Sequence, residues 1–241
     1  MGRYQSLRKI ASGGMADLFL ARQAGPAGFE KVVALKRIQP ARAADASFRR
    51  MFLDEARLAA ELRHPNVVDV YEVGEDEDGW FLAMEWLDGH DLRKILTEAE
   101  LCRAAVPIGV VVRIAADAAR GLDHAHRKND RAGAPLHLVH RDVSPHNLVV
   151  TYEGTTKVVD FGIAKAGSSA DETRAGVVKG KLRYMSPEQA SGVGIDHRSD
   201  QFSLAIVLWE MLTMRRFHAD AEDRGVIRYL MGGRFTQPRS L

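Results

Sequence analysis

The chain has 241 residues, of which 46% are hydrophobic and 27% are charged. That length can bury the core of one domain with two lobes, or of two small domains. Its 34 Lys and Arg residues against 32 Asp and Glu residues leave a net charge of +2, which favours neither a nucleic acid nor a membrane surface as an obligate partner.

Cysteine content and hydropathy indicate the compartment. The single cysteine, Cys102, excludes an intrachain disulfide framework and fits a reducing environment. No signal peptide opens the chain, and its most apolar run, Leu204 to Leu212, is too short to span a bilayer. We therefore expect a soluble, cytoplasmic domain with no membrane span within this chain.

A strand, a glycine turn and a second strand are predicted over residues 10–21. Gly13 and Gly14 form the turn, and on its own a pair of glycines most often marks an ordinary hairpin. Only its position ahead of other motifs can give this turn a function.

The next predicted strand, residues 32–38, sets a charge into an apolar face. Ala34 and Lys36 share that face by the period of two. A lysine there either protects an exposed sheet edge or pairs with a carboxylate. The helix predicted over residues 48–62 supplies a carboxylate, because Glu55 lies in its apolar stripe and an unpaired buried charge is very unfavourable. We predict an ion pair between Lys36 and Glu55.

A β-hairpin is predicted over residues 148–159, because two apolar, β-branched runs flank a Glu-Gly turn. Since a hairpin returns the chain beside its start, Asn147 at the entrance and Asp160 at the exit are expected to be neighbours. Asp142 lies five residues before Asn147. Such oxygen ligands suit Mg²⁺, which takes few protein ligands and completes its shell with phosphate oxygens and water. The stretch therefore predicts a magnesium site beside a carboxylate base.

Long helices are predicted over residues 106–127 and 202–214, and a further one over 224–232. Three histidines at or after the first of these helices lack a partner carboxylate or cysteine cluster, and we interpret them as structural or surface residues rather than metal ligands. They are His124, His126 and His137.

This order of motifs resembles that of the protein kinases. His-Arg-Asp at residues 140–142, Asn147, and Asp-Phe-Gly at residues 160–162 have the spacing of the kinase catalytic loop and DFG motif. The alternative is a solvated loop with chance matches, and the motifs upstream and downstream argue against it. The resemblance covers nearly the whole chain and points to bacterial eukaryotic-like (Hanks-type) serine/threonine kinases.

The resemblance implies ATP and Mg²⁺ as cofactors and a role for each site residue. Asp142 is implied as the base that accepts the substrate hydroxyl proton, and Asn147 and Asp160 as the Mg²⁺ ligands. Lys36, fixed by Glu55, is implied as the residue that holds the α- and β-phosphates. The implied nucleotide-binding residues are the loop, strand and hinge positions Ile10, Gly13, Gly14, Leu18, Ala34, Lys36, Met84, Glu85, Leu87 and Val149.

The glycine-rich loop departs from the family pattern, because Ala11 and Ala16 stand where two of the three motif glycines usually lie. Alanine is small enough for close backbone approach but disfavours a positive φ, so we expect a working loop with weaker nucleotide affinity. After the hinge, Asp91 is interpreted as a helix cap rather than a ribose ligand.

Residues 162–188 resemble a kinase activation segment that ends in Ser-Pro-Glu in place of Ala-Pro-Glu. Arg141, beside the base, suggests control by a phosphate that orders the segment by binding the guanidinium. The hydroxyl groups available for that control are those of Ser168, Ser169 and Thr173. Kinases usually pair the glutamate at position 188 with an arginine further along, and we expect that arginine to be absent from a C-terminally incomplete C-lobe.

Two further departures are linked. Ser144 stands where most serine/threonine kinases have a lysine, and Lys181 stands where most have a threonine. In those kinases the lysine stabilises the transferring phosphoryl group. A cation placed where negative charge develops contributes strongly to catalysis. Our hypothesis is that Lys181 supplies that charge. The alternative is an exposed lysine and a weakened enzyme.

We therefore predict an α+β, bilobal protein-kinase-like fold. Its small N-lobe, residues 1–86, is expected to be a β-sheet with one helix, and its larger C-lobe, residues 87–241, to be mainly helical, with ATP and Mg²⁺ between them. Asp200, before the second long helix, is expected to tether the backbone near His140 and Arg141.

The function implied is transfer of the γ-phosphoryl group of ATP to Ser/Thr hydroxyls of protein substrates, with autophosphorylation that a dimer would allow in trans. The alternatives are a pseudokinase scaffold and a small-molecule phosphotransferase. Retention of the base, the phosphate-binding lysine and the metal ligands argues against the first alternative. The Ser-Pro-Glu motif and the long activation segment, which serve polypeptide substrates, argue against the second.

Overall fold

The computed structural model of the chain describes residues 3–13, 16–130, 132–161 and 181–217, without the side chains of Ala41, Glu55 and Lys181. The chain divides into two compact units. The first comprises Met1–His64 and Val68–Asp88, and the second comprises Pro65–Val67 and Gly89–Leu241. The main junction lies two residues after the predicted lobe boundary, and each unit is described by itself.

The first unit contains a five-stranded antiparallel sheet in the order β1-β2-β3-β5-β4. Its helices are a short α1 and a longer α2, both between β3 and β4. The bounds are β1 Tyr4–Ser12, β2 Ala16–Ala24, β3 Glu30–Ile38, α1 Pro40–Ala43, α2 Ala46–Ala60, β4 Val70–Asp76 and β5 Gly79–Glu85. The β-rich N-lobe is thus confirmed, with one short helix more than predicted.

The core of this sheet follows from the alternation along β3. Val33 and Leu35 point to one face, where they are fully buried among residues of β1, β2 and β5, as the period of two requires. Tyr4 closes that core at the edge of the sheet, since its ring lies 5.2 Å from the ring of Phe81 and its hydroxyl donates to Glu72 at 2.7 Å. Lys36 lies on the opposite face and is half-buried.

Helix α2 begins where Asp45 caps it. The Asp45 carboxylate accepts hydrogen bonds from the backbone N–H groups of Ser47 and Phe48 at 2.8 and 3.3 Å, which satisfies two of the donors that a helix start leaves open. Phe48, Phe52 and Ala56 form its buried stripe. The helix starts two residues before the predicted stretch and ends at Ala60.

The second unit is mainly helical and holds a small antiparallel sheet of order β6-β7-β8. Short 3-10 turns cover Pro145–Asn147 and Lys181–Tyr184. The bounds of the strands and helices are β6 Gly89–Asp91, α3 Leu92–Leu101, α4 Ile108–His126, β7 Leu148–Thr151, β8 Thr156–Val158, α5 Pro187–Ser191 and α6 His197–Thr213. The helix predicted over residues 224–232 lies outside the described residues.

Helices α4 and α6 pack against each other. The buried face of α4 carries apolar residues at three- and four-residue spacing, with Asp117 as its one buried charged residue. Helix α6 differs, because its first two turns bury Ser199, Asp200 and Ser203. It begins earlier than predicted, since the carboxylate of Asp196 caps it by accepting the N–H of Arg198 at 2.8 Å.

Residues 65–67 join the second unit through a close approach to α4. A Cβ on Gly121 would lie 2.5 Å from the carbonyl oxygen of Asn66, so only glycine admits this contact without a shift. The Asn66 side chain donates to the carbonyl of Thr156, and the backbone carbonyl of Asn66 accepts from the N–H of Val158, both at 2.9 Å.

Among the described helices, none is both long and apolar enough to cross a membrane.

Candidate functional site

The β7–β8 hairpin brings Asn147 and Asp160 together, as predicted. Leu148 pairs with Val158 in the antiparallel register, and one step further the N–H of Val159 donates to the carbonyl of Asn147 at 3.0 Å. Asp160 follows directly at the exit. Gly154 forms the turn with a φ of 82°, which glycine adopts without strain.

Asn147 also holds the predicted base. Its side-chain nitrogen donates to the backbone carbonyl of Asp142 at 2.7 Å and to the Asp142 carboxylate at 3.1 Å. The 3-10 turn Pro145–Asn147 folds the chain back so that the two side chains meet. Asn147 is 5% exposed, and a buried amide held by two bonds fixes the orientation of its partner.

His140 connects this loop to the strand end that carries Asp160. The imidazole is fully buried, with Nε2 3.0 Å from the carbonyl oxygen of Val159 and Nδ1 accepting the N–H of Asp142 at 3.2 Å. These two partners assign the ring proton to Nε2. The ring centroid also lies 4.6 Å from that of Phe161, so one side chain contacts both predicted motifs.

Asp200 anchors the same loop from α6, which confirms the predicted tether. Its carboxylate is 1% exposed and accepts the N–H of His140 at 2.8 Å and the N–H of Arg141 at 2.9 Å. Its third partner is Nε2 of His126, at 2.7 Å. The prediction that the histidines lack a carboxylate partner is therefore wrong for His126. The partner lies 74 residues away, and no local pattern signals the pair.

Two backbone positions in this site carry strain. Arg141 has a φ of 61° and Asp160 a φ of 54°, in the left-handed region that residues other than glycine rarely adopt. Such conformations persist only where the surroundings hold them. The first precedes the predicted base, and the second is a predicted metal ligand.

The end of the activation segment is held against the helices by buried polar contacts. The Tyr184 hydroxyl donates to Glu210 at 2.8 Å, and Arg93 of α3 contacts both Tyr184 and Glu210. Burial and the neighbouring carboxylate of Glu210 raise the pKa of the Tyr184 hydroxyl. Glu188, for which the family's arginine was expected to be missing, accepts a hydrogen bond from Ser199 at 2.6 Å.

The donor set fits Mg²⁺. Because the side-chain nitrogen of Asn147 is bonded to Asp142, its amide oxygen is the atom left to bind a cation. The carboxylate of Asp160 follows at the paired strand end. The described residues contain no cluster of three or more His, Cys, Asp or Glu residues suited to a metal. Two hard oxygen ligands completed by phosphate and water are typical of Mg²⁺.

In the first unit, the predicted nucleotide residues lie on neighbouring strands. The register places Leu18 of β2 opposite Lys36 of β3, and Ala34 of β3 opposite Met84 of β5. Ile10 lies in β1, where the β1–β2 register shifts. Of the remaining predicted residues in both units, Glu85 ends β5, Leu87 follows it half-buried, Val149 lies in β7, and Gly14 is outside the described residues.

The glycine turn is held by side chains that sequence reasoning missed. The Gln39 side-chain nitrogen donates to the carbonyl of Gly13 at 2.7 Å and to Asp17 at 3.2 Å. Asp17 also accepts from Lys9 at 2.7 Å and Ser12 at 2.6 Å. These bonds, led by that of Lys9, lower the pKa of Asp17 to about 2.

Some predicted contacts stay predictions. The side chains of Glu55 and Lys181 lie outside the described residues, so neither the Lys36–Glu55 pair nor the compensation for Ser144 is tested. Ser144 itself is 1% exposed. By contrast, Asp91 caps α3 by accepting the N–H of Lys94 at 3.0 Å, which confirms the capping prediction.

Known proteins match this chain over nearly all of its length. The family model of the protein kinase domain matches residues 4–232. The tyrosine-protein kinase MasK of Myxococcus xanthus is 48% identical over 100% of this chain and 37% of its own length. The serine/threonine-protein kinase PrkC of Bacillus subtilis is 38% identical over 89% of this chain and 31% of its own.

A solved kinase structure also matches the fold of this chain. The crystal structure of the PknI kinase domain of Mycobacterium tuberculosis superposes with a TM-score of 0.65 at 32% identity, covering 88% of this chain and 75% of that one. The chain spans about a third of the length of the two curated relatives above. On its motifs, its fold and these matches, the chain belongs to the protein kinase family and is similar to the bacterial Hanks-type members.

Proposed function

We propose that this domain transfers the γ-phosphoryl group of ATP to Ser and Thr hydroxyls of proteins, itself included. The observation that carries the proposal is the contact between Asn147 and Asp142, which holds the base beside the hairpin that presents Asp160. A base fixed next to the metal ligands is what a reaction based on positioning and charge stabilisation requires.

In the proposed reaction, the substrate hydroxyl oxygen forms a bond to the γ-phosphorus while the bond from that phosphorus to the β-γ bridging oxygen breaks. Asp142 accepts the hydroxyl proton, and ADP leaves with the bonding electron pair. Mg²⁺, when bound, neutralises charge on the phosphate oxygens. Asn147 orients Asp142, and His140 and Asp200 hold the backbone on either side of Arg141.

The first unit is proposed to bind the nucleotide. Lys36, with Glu55 as its partner, serves as the cation for the α- and β-phosphates. Gly13 and its neighbours cover the phosphates with backbone N–H groups, and the backbone of residues 85–87 binds the adenine edge. The half-buried position of Lys36 between the buried residues Ala34 and Ile38 on one sheet face supports this role.

Lys181 is proposed to supply the positive charge that Ser144 cannot. Ser144 is a short, buried, neutral side chain, whereas most serine/threonine kinases carry a lysine there. A Lys181→Ala variant should lose turnover by roughly a hundredfold, the scale of one lost charge-stabilising group. Unchanged turnover in that variant would refute the compensation.

Tyrosine is a second candidate acceptor. The relative with 48% identity is named a tyrosine-protein kinase, and this chain lacks the lysine and threonine that accompany serine/threonine specificity at positions 144 and 181. Phosphoamino-acid analysis separates the two. Phosphoserine and phosphothreonine support the first proposal, and phosphotyrosine as the main product replaces it with the second.

ATP and protein substrates are the proposed partners, and the compartment that holds ATP, the cytoplasm, is the proposed location. Autophosphorylation in trans would use a dimer, which a concentration-dependent initial rate would reveal. The sequence candidates for autophosphorylation are Ser168, Ser169 and Thr173.

The deciding experiment is phosphosite mass spectrometry after incubation with Mg-ATP and a generic protein substrate. Asp142→Asn is the matched blank, because it keeps the shape of the side chain and removes the base. Phosphate in the native protein and none in the variant supports the kinase. Nucleotide binding by thermal shift with no phosphate in either protein would favour a pseudokinase.

A further inference from the structure

The peptide bond between Arg141 and the base Asp142 is held on both sides by side chains. Its carbonyl oxygen, on Arg141, accepts a hydrogen bond from the side-chain nitrogen of Gln189 at 2.8 Å. Its N–H, on Asp142, donates to Nδ1 of His140 at 3.2 Å. The N–H of Arg141 is bonded to Asp200 at 2.9 Å. The strained φ of 61° at Arg141 is thus held by three partners.

Gln189 is the partner that comes from the activation segment. It lies in α5, directly after the Ser-Pro-Glu motif, and it takes part in a capping box at the start of that helix. The Ser186 hydroxyl accepts the N–H of Gln189 at 3.2 Å, and the Gln189 side-chain oxygen accepts the N–H of Ser186 at 3.0 Å. The side-chain nitrogen is then available for Arg141.

Only an amide can do both tasks. A capping box uses Glu or Gln at this position with similar effect, because only the side-chain oxygen is needed. A carboxylate, however, accepts hydrogen bonds and donates none when ionised. Gln189 therefore uses its oxygen to start α5 and its nitrogen to bind the carbonyl of Arg141.

We propose that Gln189 is a positioning residue that couples the seating of α5 to the orientation of the catalytic base. Without the Gln189 bond, the peptide between Arg141 and Asp142 can rotate to relieve the strain at Arg141, and Asp142 moves with it. The segment that carries the Ser-Pro-Glu motif therefore orients Asp142 only when α5 is packed in place. This inference rests on the proposed phosphoryl transfer for its kinetic consequence, but not for its structural one.

The test is Gln189→Glu, which keeps the capping oxygen and removes the donor. We expect kcat to fall roughly five- to tenfold, the scale of one lost hydrogen bond that positions the base, with KM for ATP unchanged. The Tm should fall by roughly a few degrees only, because the capping oxygen is kept while the carbonyl of Arg141 loses its donor. Gln201→Glu in α6, an exposed position with the same charge change, should leave kcat unchanged.

Hydrogen–deuterium exchange gives a readout that needs no activity. Amides in residues 139–147 should exchange faster in Gln189→Glu than in the native protein, while α4 and α6 stay unchanged. A merely structural role would instead raise exchange throughout the second unit.

The outcomes are separable. Equal kcat and equal exchange in Gln189→Glu and the native protein would overturn the inference. A native protein without phosphoryl transfer would refute the proposed function, and faster exchange confined to residues 139–147 would still support the positioning role. Gln189→Met, which removes both the side-chain oxygen of the capping box and the donor, should lose more Tm than Gln189→Glu as well as turnover.

Discussion

The catalytic loop and the glycine turn are both fixed by side-chain hydrogen bonds, but in opposite surroundings. The loop around Asp142 is held by His140, Asn147 and Asp200, each at most 5% exposed. The turn at Gly13 is held by Gln39 and Asp17, which are half-buried at a rim beside exposed Lys9.

The two surroundings differ in the free energy that is lost when one hydrogen-bond partner is removed. Removing one partner from a buried polar network leaves the others unsatisfied in a medium of low dielectric, which is very unfavourable. Removing one from a hydrated rim lets water take its place. The predicted base is therefore held firmly, whereas breaking one hydrogen bond at the rim beside Gly13 should cost less free energy.

The largest expected effect comes from breaking the buried network at Asp200. Asp200→Ala leaves the N–H groups of His140 and Arg141 and the imidazole of His126 without their acceptor. We expect the free energy of unfolding to fall by about 3 kcal/mol and turnover to be nearly abolished. Urea unfolding and a phosphoryl-transfer assay measure the two effects.

Asp196→Ala is the matched control for Asp200. It removes a carboxylate from the start of the same helix, but a partly exposed one that caps the helix. Its loss of stability should be the smaller of the two, and turnover should persist. Equal losses in both variants would show that the catalytic loop does not depend on the buried carboxylate.

A smaller effect is expected at the rim. Gln39→Ala removes the bond to the carbonyl of Gly13, and water can replace that donor. We expect KM for ATP to rise about threefold, as one partly exposed hydrogen bond permits, with kcat unchanged. Steady-state kinetics at varied ATP measures this, with Gln23→Ala in β2 as a control away from the turn. A fall in kcat with constant KM would contradict a role of Gln39 in nucleotide binding.

The smallest expected effect concerns the charge that holds the turn. Asp17 has its pKa lowered to about 2, first by the hydrogen bond from Lys9 and then by those from Ser12 and Gln39. In Lys9→Met we expect the pKa of Asp17 to rise toward the ordinary value of 3.8 without reaching it, because the other two bonds remain. The sign follows from the lost stabilisation of the carboxylate form. Carboxyl ¹³C NMR titration measures it, and an unchanged pKa would remove Lys9 from the network.

The parts of the site that lie close together along the chain could be predicted from the sequence. The hairpin that joins Asn147 to Asp160 follows from strand alternation and a glycine turn. The cap at Asp91 and the alternation around Lys36 are equally local. Element ends were less accurate, because caps such as Asp45 and Asp196 extend helices beyond their apolar pattern.

The contacts between distant segments could not be predicted from periodicity. His126 meets Asp200 across 74 residues, Gln189 meets Arg141 across 48, and Arg93 meets Glu210 across 117. Each contact starts from a polar side chain and joins separate elements. Neither the type of a polar residue nor its spacing indicates which distant partner it will bind.

The sequence by itself determined the motifs, their order, the chemical types of the predicted base and metal ligands, and the family. Those depend on residue identity and short spacing, which can be read directly from the sequence. The tether from Asp200 followed from the family resemblance. Only the tertiary structure showed that Gln189 and His126 also take part, because the packing of α4, α5 and α6 brings Gln189 to the carbonyl of Arg141 and His126 to the carboxylate of Asp200. The physical reason is that side-chain partners are selected by how helices pack, and that packing depends on the whole core rather than on any one stretch.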